Sequence, residues 1–182
     1  MEHPQRDEEL LAGFVSGSRE MFEPLVRRYE KPLYAFLCRM SGSEEDAADL
    51  FQETFVRVYR HGNSFDGSGS FKSWLYAIAA NTCRSHLAAR KARPYGEEPA
   101  AEPVDPAAPP PAGLAAKEAG ERVRLAVSAL PPEQREVLVL KVYEDLSYPE
   151  IARALSRPLG TVKSQMRYAV QKLRVSLAGV AE

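Results

Sequence analysis

The residues best suited to chemistry lie near the C-terminal end. Over 159–177 an apolar repeat, Val162, Met166 and Ala169, turns Lys163, Ser164, Gln165, Arg167 and Tyr168 to the opposite side. These side chains are hydrogen-bond donors and acceptors long enough to reach phosphates and major-groove base edges. Lysine and arginine hold the backbone or read guanine, and glutamine can pair with adenine. From Ile151 to Ala181 the chain carries Arg153, Arg157, Lys163, Arg167, Lys172 and Arg174 and no acid. A second basic stretch, Gly62 to Gly96, sets Lys72, Arg84, Arg90, Lys91 and Arg93 against Asp66 alone. The acids collect in 44–53, in 97–105 and near the N-terminus, so a net charge of −1 conceals two basic blocks. Two such blocks suggest two separate contacts with a polyanion, although a run of charge is more often a solvated helix face.

Catalytic chemistry finds no footing. Gly67-Ser68-Gly69 is too short for a phosphate-cradling loop and follows no strand. No nucleophile stands with an attached base. His3, His61 and His86 are scattered, and Cys38 and Cys83 sit singly in apolar helical patterns. Small buried core residues are the better reading of both cysteines, and neither a metal nor a cofactor is expected. The composition, 45% hydrophobic and 27% charged, is that of a soluble globular protein. No apolar run approaches the roughly 18 residues of a membrane span, and the polar start Met1–Asp7 lacks a signal-peptide core. A non-enzymatic, cytoplasmic protein is expected.

The elements that must position these residues are all helical; no period-two alternation suggests a sheet. Seven prolines (Pro94, Pro99, Pro103, Pro106, Pro109, Pro110, Pro111) crowd Arg93–Gly113, a stretch with almost no apolar bulk. It should be an extended linker, partly polyproline II. The expected organisation is two small helical domains, 1–92 and 115–182, joined by a Pro/Ala-rich linker over 93–114. In the first, helices are predicted over 6–17, over 21–40 with a kink or division at Pro32, from Ser43 to near Gly62, and over 70–92. Trp74, beside Leu75 and Ile78, reads as core. In the second they are predicted over 115–129, 132–143, 148–155 and 159–177. Ser147-Tyr148-Pro149-Glu150 is a capping box. The short helix it starts, a tight turn around 156–160 and the basic helix beyond together form a helix-turn-helix.

Several stretches now resemble one family. Leu130-Pro-Pro-Glu-Gln-Arg-Glu-Val-Leu-Val-Leu, Leu146-Ser-Tyr-Pro-Glu-Ile-Ala and Gly160-Thr-Val-Lys-Ser look like region four of the extracytoplasmic-function (ECF) sigma factors. Asp46-Ala-Ala-Asp-Leu-Phe-Gln-Glu-Thr-Phe-Val-Arg-Val-Tyr and Ser70-Phe-Lys-Ser-Trp-Leu-Tyr-Ala-Ile-Ala-Ala-Asn look like region two. The matches span nearly all of the chain outside the linker. The resemblance implies a factor that binds core RNA polymerase, through its beta-prime and beta subunits, and directs it to promoter DNA. An anti-sigma factor is an expected partner.

Carried over residue by residue, Asp49 and Gln52 match the polymerase-binding motif, with Leu50, Phe55 and Val56 as apolar support. Region two would open the minus-ten element with Phe65, Phe71, Lys72 and Asn81, while Arg84, Arg90, Lys91 and Arg93 hold phosphates. Region four would read the minus-thirty-five element with Thr161, Lys163, Ser164, Gln165, Arg167, Tyr168 and Lys172. The family usually has an acid four residues after the asparagine, where this chain has Ser85. It usually has arginine at the positions of Gln165 and Tyr168, so the resemblance does not carry over a promoter sequence. The linker would thread the polymerase cleft, its acids standing in for RNA. A stand-alone helix-turn-helix regulator is the alternative reading. It would need a sensor or dimerisation domain in 1–92.

Overall fold

The computed structural model describes residues 5–92 and 114–178. Among them the α-helices are α1 (Asp7–Val15), α2 (Phe22–Ser41), α3 (Glu44–His61), α4 (Phe71–Ala92), α5 (Leu114–Ser128), α6 (Pro132–Val142), α7 (Tyr148–Ala154) and α8 (Leu159–Ala178). The all-helical expectation holds among the described residues. The proline-rich segment 93–113 lies outside them, and Leu114 already begins α5.

Local chemistry explains most boundaries. The Ser43 hydroxyl accepts the Asp46 amide at 3.2 Å and starts α3. Glu44, Glu45 and Asp46 fill that first turn and Arg60 and His61 the last, each matching the helix dipole. Gly42 ends α2 at φ 76°, a left-handed conformation that glycine adopts without strain, and its N–H reaches the Cys38 carbonyl at 2.9 Å. The Ser147–Glu150 capping box is present at the start of α7. That helix closes with the Arg157 amide on the Ala152 carbonyl and the Ser156 amide on that of Arg153, with Ser156 at φ 51°. This is the paired closure usually given to glycine.

Pro32 does not divide α2, which runs unbroken from Phe22 to Ser41. The ring is exposed on the outer face. The carbonyl one turn earlier, which loses its partner, can therefore turn to water.

In the N-terminal half, α2, α3 and α4 enclose Leu25, Leu33, Phe36, Leu50, Val58, Leu75 and Tyr76. Phe36 and Tyr76 meet edge to face at 5.1 Å. In the C-terminal half, α6, α7 and α8 enclose Val137, Leu140, Ile151, Leu155, Val162 and Ala169. Cys38 and Cys83 are both buried as reduced thiols, and burial pushes the Cys83 thiol up to about 12. The two halves touch: α6 packs against α2, and α7 against α4.

Candidate polymerase and nucleic-acid interfaces

Along α3, Asp49, Gln52 and Val56 are exposed on one stripe. Leu50 and Phe55, proposed from sequence as part of the contact, face inward at 2% and 7% exposed. They shape the stripe from beneath and are not available to a partner. Phe55 is held by Phe51 and Phe22, at ring distances of 5.0 and 6.1 Å. Sequence reasoning missed Tyr59, exposed at 49% and packed edge to face on Phe22. Its position, three residues beyond Val56 and seven beyond Gln52, continues the same helical face. The stripe is acidic and amidic at one end and apolar at the other.

The loop before α4 is built by short-range bonds. The Asp66 carboxylate accepts the Ser68 amide at 2.9 Å, which holds its pKa below the usual range, and Gly67 takes φ 71°. Ser70 accepts the Ser73 amide, and Glu8 of α1 accepts the Phe71 amide at 2.9 Å. Both satisfy open N–H groups at the start of α4. Phe65 and Trp74 lie 5.5 Å apart, half-buried, and line a cavity of about 110 Å³ together with 68–70 and Arg153.

Phe71, expected to touch DNA, is fully enclosed. It lies against Tyr29, Phe65 and Trp74 and supports the last two from the core side. Trp74, read from sequence as core, does pack against the core while half-buried, and its outer side lines the cavity. The helical period places it one step off the centre of the buried face, next to Phe71 and Leu75.

Further along α4, Asn81, Arg84 and Lys91 are exposed. Lys72 lies half-buried over the Tyr76 ring, 5.9 Å from its centre. Arg90 donates to Asp46 at 2.9 Å, and His86 contacts the other Asp46 oxygen at 3.0 Å. Arg84 donates to Glu136 of α6 at 3.1 Å. Arg93 lies outside the described residues.

The helix-turn-helix is α7, the turn at 155–158, and α8. Val162 and Ala169 are fully buried and Met166 partly so, which leaves Thr161, Lys163, Arg167, Tyr168 and Lys172 exposed. Arg167 stacks on the Tyr168 ring at 5.3 Å. Ser164 turns back to the Gly160 carbonyl at 2.9 Å. Gln165 is half-buried and accepts from Arg157 at 3.2 Å, so its side chain points toward the turn rather than to the open face. Arg157 also donates to Glu136 at 2.5 Å, and Glu136 is 3% exposed. A groove of about 540 Å³ runs along α8 between Tyr148, Lys163, Met166, Arg167, Gln171 and Arg174. Three cations and no acid line it, which suits a phosphate backbone.

Comparisons with known proteins identify the family. The family described as Sigma-70 region 2 matches residues 25–93, and that described as Sigma-70, region 4 matches 120–173. The RNA polymerase sigma-H factor of Pseudomonas aeruginosa is 31% identical over 180 residues, covering 92% of this chain and 93% of that one. The ECF RNA polymerase sigma factor SigM of Mycobacterium tuberculosis is 33% identical over 171 residues, covering 94% and 84%. The solved structure of CnrH in complex with the cytosolic domain of CnrY aligns with a TM-score of 0.72 at 26% identity, over 96% of this chain and 99% of that one. The chain belongs to the extracytoplasmic-function sigma factors of RNA polymerase.

Proposed function

We propose that the two halves divide the work of promoter-directed initiation. Residues 1–92 grip the polymerase beta-prime subunit through Asp49, Gln52, Val56 and Tyr59. They receive an unstacked minus-ten base between Phe65 and Trp74, with Lys72, Asn81, Arg84, Arg90 and Lys91 along the strand. Residues 115–182 read the minus-thirty-five element with Thr161, Lys163, Ser164, Arg167, Tyr168 and Lys172. Gln165 serves through Arg157, and the linker 93–114 sets the reach. The factor contributes no chemical step of its own and works in the cytoplasm beside the polymerase. CnrH was solved with the cytosolic domain of CnrY. That pairing supports a protein partner for this chain, which we take to be an anti-sigma factor.

One observation carries the reading: the α3 stripe and the acid-free groove of α8 occur in one chain of two helical bodies. A stand-alone regulator explains the groove but leaves the stripe without a purpose.

Run-off transcription with core polymerase over a genomic fragment library tests it and reports the promoter. Asp49→Lys is expected to abolish product and core co-elution on gel filtration while leaving the fold intact. Arg167→Ala should keep co-elution and lower the salt slope of DNA binding by about 1. Full run-off from Asp49→Lys would refute the assignment of the stripe.

A further inference from the structure

Thr161, Gln165, Tyr168 and Lys172 follow one another at helical spacing and so share one stripe of α8. Gln165 lies in the second turn, near the end of a recognition helix that reaches base edges. The other three are exposed, and Gln165 is half-buried because it leans on the turn before the helix. There the Arg157 Nη1 donates to its Oε1 at 3.2 Å. Arginine has donors only, so the amide atom that faces it must be the oxygen. Arg157 is itself fixed and mostly buried. Its Nη2 donates to Glu136 at 2.5 Å, and its Nη1 also reaches the Glu133 carbonyl at 3.4 Å. Its backbone amide closes on the Ala152 carbonyl at 2.9 Å. The Gln165 nitrogen, by contrast, has no partner among the described residues and is not enclosed.

We propose that Arg157 fixes the polarity of Gln165, so that this glutamine reads guanine where an unrestrained one would read adenine. The proposal rests on the functional reading above. A glutamine free to turn pairs with adenine by accepting from N6 and donating to N7. Here a guanidinium already donates to the oxygen, and a second donor brought to that atom meets its positive charge. The adenine amino group is such a donor. The NH2 end of Gln165 has no such conflict, and the bond at the oxygen polarises the amide and strengthens it as a donor. Guanine offers that end two acceptors, O6 and N7. Thymine offers O4 alone beside a methyl group, and cytosine offers only a donor. The arrangement of charge therefore ranks guanine first. Gln165 determines specificity at one base pair, and Arg157 is a positioning residue that acts through it.

The test uses the full chain bound to core polymerase. The complex selects duplexes from a library in which the minus-thirty-five element of a promoter found by run-off transcription is randomised. One position should favour guanine over adenine about fivefold or more, the lower end for a base-edge contact. Gln165→Ala should erase that preference at that position alone, which a loss of stability would not do. Gln165→Glu keeps the shape but makes the outer end an acceptor, and should turn the preference there to cytosine. Glu136→Leu with Arg157→Met replaces the ion pair by apolar bulk and lets the amide turn. With its helical circular dichroism retained, that double variant should move the ratio at the same position severalfold toward adenine. Should it fail to fold, the two Gln165 variants still decide. Adenine favoured by the wild type at the position that depends on Gln165 overturns the proposal. So does a base pattern that Gln165→Ala leaves unchanged, or a folded double variant with the guanine ratio of the wild type. A uniform loss of affinity across all sequences in Gln165→Ala would show a phosphate contact and overturns it too. A wild-type complex that selects no sequence overturns the functional reading and the proposal with it, whereas a sequence selected without these shifts overturns the proposal alone.

Discussion

Glu136→Gln is the substitution with the clearest expected cost. The carboxylate is 3% exposed and accepts from Arg157, whose side chain is 16% exposed, at 2.5 Å. It also accepts from Arg84, 43% exposed, at 3.1 Å. Removing the charge leaves the Arg157 guanidinium in a largely dry site facing a neutral amide. Breaking a buried pair in this way costs about 3–5 kcal/mol. Glutamine keeps one acceptor oxygen for Arg157, which favours the lower end, about 3 kcal/mol. The Arg84 share stays within about 1 kcal/mol because water screens that side chain. If the C-terminal half melts as its own unit, about 3 kcal/mol lowers its midpoint by roughly 12–24 °C; if the whole chain melts together, by roughly 6–12 °C. Thermal melts by circular dichroism read the shift. Arg84→Ala should move the midpoint far less, and Glu136→Leu with Arg157→Met should recover most of the loss. A Glu136→Gln chain melting within about 3 °C of wild type would refute the argument, since it would mean that water already screens the Arg157 pair.

Burial at the contact between the halves raises the Glu144 carboxyl above its ordinary 4.5, against the lowering influence of Tyr76, Lys72 and Arg39. A raised folded-state pKa means that Glu144 opposes folding at neutral pH and stops doing so as pH falls toward 4.5. Glu144→Gln should therefore melt higher than wild type at pH 7, with the gap narrowing by pH 5; a gap independent of pH contradicts this. Ser156 holds φ 51° in the turn of the helix-turn-helix. Ser156→Gly should relieve about 1 kcal/mol of backbone strain and raise the midpoint by a few degrees, and a drop would show that its hydroxyl has a role in the turn.

The helices were legible because their signals are local. Ser43 followed by three acids, and Ser147 with Glu150, announce helix starts through bonds that close within one turn. The apolar period over 159–177 places Val162, Met166 and Ala169 inward, as found. Pro32 misled because a proline in the helix interior normally costs a bond, and only its exposed position shows that water can make the loss good. Phe71 lies deeper and Trp74 nearer the surface than expected for a related reason. The period of 3.6 residues separates buried from exposed faces well, but a residue at the edge of a face is decided by what lies across from it. Here that neighbour is the loop carrying Phe65, and no sequence spacing measures the distance to it.

Cations pose the harder problem. Composition gives two basic blocks and cannot say which cations face a nucleic acid and which balance an internal acid. Arg84, Arg90 and Arg157 are each matched, to Glu136, Asp46 and Glu136. Lys163, Arg167 and Lys172 enter no ion pair among the described residues. Those three fall on one helix, and no acid lines its groove, so they are the charges a polyanion can reach without displacing anything. The matched ones can serve only if their acids are released, and for Arg84 the acid belongs to the other half of the chain. A phosphate that draws Arg84 away from Glu136 therefore loosens the contact between the two bodies. Under the proposed assignment, DNA held by Arg84 and release of the second body are coupled through Glu136, one of several contacts between the halves.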